Sequence, residues 1–338
     1  MELQTIFKKA IIPAIITSLS LAGCSPFDNL TDASASGVYF DTIVTVDIFG
    51  CPSDKAGAIT DECMAICKRY ENLFNKNIPA SDIAKINSTP NTDVKVDHDT
   101  AELVSRSLYY SEISDGAFDI TVNPVSELWD FHEGSLTIPS ASDLKQASGL
   151  VDYKKINVDI KNNTVRSDIP GGSIDVGAAA KGYIADSIAE YLRSQSITGA
   201  IINMGGDMRL IGSKPDNSLF TVGIKDPFGS SSPALALYLS DTSVATSGLY
   251  ERSFILDGIR YHHILDTKTG MPVDTDIESV TVITDNAIDS DCLCTVCILY
   301  GYDKASGLIE NTEGCEAIFI LSDKSVKYTS GAKSYIRQ

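Results

Sequence analysis

Apolar residues fall at alternate positions over 38–49, with Phe40, Thr42, Val44, Val46 and Ile48 on one face. That period of two predicts a strand. The period then lengthens. Ile59, Cys63, Ile66, Tyr70 and Leu73 follow helical spacing, so 54–73 reads as an amphipathic helix. Ser81 is placed to cap a short helical turn ending near Asn87. Ala101, Val104 and Leu108 form the next helical stripe, which Asp115-Gly116 breaks. Ser140 or Ser142 starts a short helix that Gly149 ends, and 155–166 reads as a hairpin turning at Asn162-Asn163. Ile184, Ile188 and Leu192 line a helix after Lys181, and a buried strand follows at Ala200-Ile201-Ile202. Further strands are expected at 219–224, 234–239, 254–256, 278–283 and 317–320, with a helix at 291–300. Helices interleaved with antiparallel hairpins point to an α+β fold.

The N-terminus has the layout of a targeting segment. Lys8 and Lys9 precede an apolar run over 10–21, too short to span a bilayer comfortably, and then Leu21-Ala22-Gly23-Cys24. Leu-Ala-Gly-Cys resembles a bacterial lipobox, in which the cysteine carries lipid. The alternative is a secretory signal with an incidental cysteine. The organisation expected is a lipoprotein signal at 1–24 with Cys24 lipidated, a polar tether at 25–36, and one compact catalytic unit at 37–338. The chain would then be anchored by lipid to the outer face of the cell membrane, or in the periplasm, and would not span the bilayer.

Charge narrows the partners. The formal net charge is −18, and the targeting segment is itself basic. This argues against nucleic acid and against an electrostatic grip on anionic lipid. Any phosphate ligand must find its counter-charge locally. Of the eight cysteines, Cys24 is assigned to lipid and seven remain. Cys63 and Cys67 lie four apart, and Cys292, Cys294 and Cys297 cluster. They are either thiolate or disulfide partners or small apolar fillers of helix positions.

The densest chemical signal lies at 171–212. Asp175 ends an apolar run, the small residues Gly177-Ala178-Ala179-Ala180 follow, and then come Lys181 and Gly182. Small residues at a helix start let a ligand approach free N–H groups, and a lysine there suits a phosphate. No Gly-Lys-Ser/Thr is present, so this is not a Walker A loop. The next strand ends in Asn203-Met204-Gly205-Gly206-Asp207. Asp291 and Thr295 share a helix face, either as a hard-oxygen pair for Mg²⁺ or as a capped helix start with a packed threonine. His262 and His263 alternate faces if they end a strand. One could serve as a base oriented by Asp266, or both could be ordinary histidines. Phe118, within Gly116-Ala117-Phe118-Asp119, could stack on a flat ring or sit in a core.

The order of these features along the chain resembles the ApbE family, the FAD:protein FMN transferases. Asp-Thr near 41 comes first, then Gly-Ala-Phe-Asp near 118, and Asp-x5-Lys-Gly-Tyr-x2-Asp near 181. Asn-x-Gly-Gly-Asp near 205, Ala-Thr-Ser-Gly near 247, His-x-x-Asp-x-x-Thr-Gly near 266 and Asp-x3-Thr near 293 complete the series. The resemblance runs from about Val38 to the C-terminus. It implies the ApbE-like, T-fold-related arrangement of mixed sheets with packed helices. It implies FAD as substrate and Mg²⁺ as cofactor, with the ion clamping the pyrophosphate. By the same resemblance Asp175, Lys181, Ala117, Phe118, Asp119 and Leu265 contact FAD, as would Phe40 and the Gly205-Gly206-Asp207 turn. The Ala178 carbonyl, Asp291 and Thr295 would hold the metal. Some members carry Met where Phe40 stands, Asp where Cys294 stands and Pro where Thr267 stands.

The reaction implied moves FMN onto a Thr or Ser hydroxyl of a partner protein and releases AMP. Lys181 would stabilise the leaving oxygen, and His263, with Asp266, is the candidate base. The partners implied are exported flavoprotein subunits of ion-pumping reductases of the Rnf or sodium-pumping quinone reductase type. The acceptor motif Asp-Gly-x-Ser/Thr-Gly-Ala-Thr does not occur in this chain. Rival readings are an FAD pyrophosphatase giving FMN and AMP, a flavin-binding lipoprotein without catalysis, and a zinc or iron–sulfur module on the cysteines.

Overall fold

A computed structural model of the chain describes residues 29–131 and 137–336. The expected signal at 1–24, the lipidation site Cys24 and the first tether residues 25–28 lie outside the described residues.

The chain opens with the hairpin β1 (Leu30–Tyr39) and β2 (Thr42–Pro52), then helices α1 (Ala56–Phe74) and α2 (Asp82–Ser88), strand β3 (Val94–Lys95) and α3 (His98–Ile113). The middle comprises α4 (Asn123–Ser126), α5 (Ala141–Ser148), the hairpin β4 (Ile156–Asp159) and β5 (Thr164–Ser167), and α6 (Gly177–Ser194). Hairpins follow: β6 (Gly199–Met204) with β7 (Asp207–Gly212), and β8 (Phe220–Ile224) with β9 (Leu235–Leu239). After β10 (Ser243–Gly248) come β11 (Ser253–Leu256) and β12 (Ile259–His262), β13 (Ile277–Thr284), α7 (Ala287–Tyr300), α8 (Tyr302–Glu310), β14 (Glu316–Leu321) and β15 (Val326–Tyr328). The α+β class holds.

An eight-stranded antiparallel sheet, ordered β1-β2-β6-β7-β10-β13-β14-β15, is the frame. Strand parity divides its side chains between two cores. Val44, Val46, Ile48, Ala200, Ile202, Val280, Val282, Ala317 and Phe319 face the helical layer of α1, α6 and α7. Leu210, Val244, Ile283, Ile318 and Ile320 face the other way, under the β8–β9 hairpin. This explains why every residue of β13 is buried. A strand covered on both faces reads as continuous rather than alternating apolar sequence.

Two expectations at the N-terminus are corrected. The run 38–49 is not one strand. It breaks at Phe40 and Asp41, whose φ values are +51° and +57°, in a two-residue hairpin turn. The even-numbered face Thr42, Val44, Val46 and Ile48 holds only after that turn. Before it the covered face moves to odd positions, Ala33, Ala35, Gly37 and Tyr39. Those residues are mostly too small to give an alternation signal. The tether expected at 25–36 is for the same reason β1 from Leu30 onward. Its backbone groups pair with β2, and the packing of α1 on that pair covers its inner face.

Helix α7 begins four residues earlier than expected, at Ala287. Asp291 therefore lies in its second turn and does not cap its start. A smaller cluster of Val125, Trp129, Leu144, Ala147, Phe254 and Leu265 joins α4, α5 and β11, and the Trp129 indole N–H donates to the Gly270 carbonyl at 2.8 Å.

Candidate active site

Helix α6 begins where Asp175 accepts the Gly177 N–H at 2.8 Å. The run of small residues lets this helix lie close on α7. A Cβ at Gly182 would stand 2.4 Å from the Ala287 carbonyl oxygen, so only glycine permits the approach. The close contact allows the Gly182 N–H to donate to Asp291 Oδ2 at 3.0 Å. Lys181, one residue earlier, pairs with Asp207 and lies 3.5 Å from Asp291 Oδ1. On the same side of α7, the Cys292 thiol faces the Ala178 carbonyl at 3.8 Å. Two expected residues, Lys181 and Asp291, thus meet from two helices distant in sequence, and the Ala178 carbonyl lies against Cys292, the residue after Asp291. Thr295 stands one turn beyond Asp291 on α7 and is half-buried.

Asp207 opens β7 directly after a two-residue turn. Gly205 and Gly206 take φ of +72° and +112°, which this tight turn requires. A Cβ at Gly205 would lie 2.1 Å from Thr42 Oγ1, so the turn also abuts the β1–β2 turn that carries Phe40. The Asp207 carboxylate accepts the Thr246 N–H of β10 at 3.0 Å, which orients it toward Lys181.

The electrostatics follow from burial. Desolvation would lower the Lys181 ammonium, but Asp207 and Asp291 outweigh it and hold the group above its ordinary value. Burial raises the Asp291 carboxyl well above the usual carboxylate range. Lys181 opposes the rise and Asp207 adds to it. Two carboxylates, one buried and one half-buried, face one ammonium, which leaves acceptor capacity to spare at a partly desolvated place.

His262 and His263 do alternate. His262 is buried, with no hydrogen-bond partner at Nδ1. His263 is exposed, although neighbouring groups crowd its ring. Its Nδ1–H donates to the Arg252 carbonyl at 3.3 Å. A carbonyl can only accept, so Nδ1 carries the proton and Nε2 is left as an acceptor. Desolvation, with repulsion from Arg252, pushes the imidazole down to about 4, and the ring is neutral at pH 7.

Several expected residues do other work. Asp266 does not orient His263. Its Oδ1 accepts the N–H groups of Lys268 and Thr269 at 2.8 and 2.7 Å, which shapes the 266–270 turn. A short acidic side chain followed by Lys-Thr-Gly bonds its own backbone before it reaches a neighbour. Phe118 is buried, edge-on to Tyr110 with centroids 6.3 Å apart, so it is a core residue and not an open stacking platform. The Asp119 carboxylate is buried too and accepts from Thr121 N–H and Oγ and from Tyr153 N–H, so it organises its loop. The Leu265 side chain packs in the Trp129 cluster. Ala117 and Asp266 line one cavity of about 220 Å³ with Thr267 and Lys268. A larger one of about 420 Å³, between Tyr109 and Tyr153, touches none of the expected residues.

Three residues carried no role at the sequence level, although the Asp-x5-Lys-Gly-Tyr-x2-Asp motif ends on Asp186. Lys76 pairs with Asp175 at 3.2 Å and with the Asn123 side-chain oxygen, and Asn123 donates to Ser173 Oγ at 2.7 Å. Asp186 accepts the first N–H groups of α7, from Ala287 and Ile288, at 2.8 and 3.0 Å. A signal for Asp186 existed: it stands four residues after Gly182, on the face that meets α7.

The seven described cysteines are free and buried. Burial pushes the Cys63 and Cys67 thiols up to about 12. Among the described residues no group of three or more His, Cys, Asp or Glu is placed to hold a metal. The expected Mg²⁺ set needs only one residue of those types.

A family model described as the ApbE family matches residues 40–319. The chain is 30% identical to the FAD:protein FMN transferase of Treponema pallidum (strain Nichols), over 94% of this chain and 92% of that one. It is 32% identical to the enzyme of the same name from Klebsiella pneumoniae (strain 342), over 81% and 85%. Among solved structures, the ApbE protein of Thermotoga maritima superposes with a TM-score of 0.82 at 32% identity, covering 91% of this chain and all of that one. The flavin transferase ApbE of Vibrio cholerae, at 24% identity and a TM-score of 0.81, shares the fold.

Proposed function

The chain belongs to the ApbE family, and from that premise we propose that it is a Mg²⁺-dependent FAD:protein FMN transferase. It moves FMN from FAD to a Thr or Ser hydroxyl of an exported partner and releases AMP. The observation that carries this reading is the meeting of Lys181, Asp207 and Asp291, with the Ala178 carbonyl against the adjoining Cys292. The acceptor oxygen bonds to the FMN-side phosphorus, and the bond from that phosphorus to the bridging oxygen breaks. AMP leaves with that oxygen.

The donors fit Mg²⁺. The Ala178 carbonyl, the Asp291 carboxylate and the Thr295 hydroxyl are hard oxygens, and the surplus carboxylate beside Lys181 calls for a cation. When bound, the ion supplies charge to the pyrophosphate oxygens. Lys181, kept protonated by its two carboxylates, offers a fixed positive charge to the leaving oxygen. His263 Nε2, neutral and open, takes the acceptor proton. Asp175 and Lys76 at the α6 start, the Phe40 turn and the Gly205-Gly206 turn border the FAD.

The partners in this reading are exported flavoprotein subunits of ion-pumping reductases. The enzyme would reach them from a lipid anchor at Cys24. Among the described residues no helix is long and apolar enough to cross a membrane.

The test is incubation of the purified protein with FAD, Mg²⁺ and a peptide bearing Asp-Gly-x-Thr-Gly-Ala-Thr. The expected result is a flavin-bearing peptide and one AMP for each. Free FMN with AMP and an unmodified peptide would mean hydrolysis, and intact FAD would mean binding alone.

A further inference from the structure

Asp186 is half-buried between α6, α7 and β7, and none of the chemistry above uses it. Its two carboxylate oxygens take the first two N–H groups of α7, from Ala287 and Ile288, at 2.8 and 3.0 Å. The residue at the N-cap of α7, Asn286, makes no capping bond through its side chain. The start of α7 is therefore capped from another helix. Arg209, itself buried, stands behind Asp186 with Nε at 3.4 Å.

One turn earlier on α6, Gly182 donates to Asp291, which lies one turn later on α7 than Ala287. The two helices run antiparallel and meet at two points a turn apart. At each point a carboxylate of one helix takes backbone N–H of the other. A slip of α7 by one residue would shift Asp291 about 1.5 Å along the axis and turn it about 100°. That would part it from Lys181 and from the Gly182 N–H.

We propose that Asp186 is a positioning residue: by holding the first turn of α7 from α6 it sets the register that brings Asp291 to Lys181 and to the metal donors. A local cap would stabilise α7 equally well but could not fix it against α6. The inference rests on the reading of Asp291 as a metal ligand.

The test measures Mn²⁺, standing in for Mg²⁺, by the loss of the free-ion electron paramagnetic resonance signal, alongside thermal midpoints. Asp186→Ala is expected to weaken Mn²⁺ binding by roughly 10–100-fold, the usual effect of losing a group that orients a metal ligand. Adding Asn286→Asp puts a carboxylate at the N-cap of α7, where the helix dipole favours it. The double variant is expected to regain thermal stability while Mn²⁺ binding stays weak. A double variant that binds Mn²⁺ as wild type does would reduce Asp186 to a cap and overturn the proposal. Should Asp186→Ala fail to fold, Asp186→Asn keeps the shape and one acceptor, and wild-type Mn²⁺ affinity in that variant would overturn the proposal as well. Asp291→Ala separates the two levels. If it binds Mn²⁺ normally, the metal reading falls and this inference with it. If it loses Mn²⁺ while Asp186→Ala does not, only this inference falls.

Discussion

Two adjacent histidines, His262 and His263, face opposite ways, and their environments call for opposite tests. His263 has its Nδ1–H on the Arg252 carbonyl and its Nε2 free. If Nε2 takes the acceptor proton, His263→Ala should lower turnover about 10²–10⁴-fold. FAD affinity, read from quenching of flavin fluorescence, should barely change. Equal loss of both would make His263 a binding residue. His262 tests stability instead. Burial pushes its imidazole down to about 4 from an ordinary 6.5. The unfolded chain therefore binds the proton more readily than the folded one between those values. Its contribution is fully present above 6.5 and is lost as pH falls toward 4. Urea midpoints should fall over that window in wild type and fall less in His262→Gln.

The helix pair α6–α7 is the element on which the site depends. Gly182→Ala would put a methyl 2.4 Å from the Ala287 carbonyl oxygen, where backbone must move. Overpacking of this kind costs about 1–3 kcal/mol, and the Gly182–Asp291 bond lengthens with it. The expected outcome is a lower thermal midpoint together with a larger loss of Mg²⁺-dependent transfer. A variant of normal activity would show that the close approach is not needed. Much of this pair was legible. The stripe Ile184, Ile188, Leu192 marked α6, and the motif order named Lys181, Asp291 and Thr295 through the family resemblance. The α7 start was misplaced because Asn286 caps it poorly and Asp186, a hundred residues earlier, does so instead. The motif ending on Asp186 marks that residue, but not the distant helix end that it caps.

The whole molecule is a sheet with a core on each face, and its first strand is the part most easily mistaken. A polar, small-residue stretch looks dispensable. β1 nonetheless covers the edge of β2 along nearly its full length. Removal of residues up to Gly37 should lower the thermal midpoint and promote association through the bared β2 edge. Light scattering and calorimetry on the truncated chain would check this. Stability and solubility equal to wild type would return the segment to the role of a tether.

The α+β class, the amphipathic helices and, through the order of the motifs, the family and the residues that meet at Lys181 are legible in the chain alone. These are carried by periodicity and by short-range spacing, which a linear chain records directly. Tertiary structure alone decided which polar groups remain available for chemistry. Asp119 and Asp266 are taken up by their own loops, Phe118 by the core and Asp186 by a distant helix. Lys181, Asp207 and Asp291 are left as one buried and one half-buried carboxylate around one ammonium. The reason is physical. A buried polar group must satisfy its hydrogen bonds somewhere, and which partner it finds depends on what the fold brings near, not on what stands beside it in the chain.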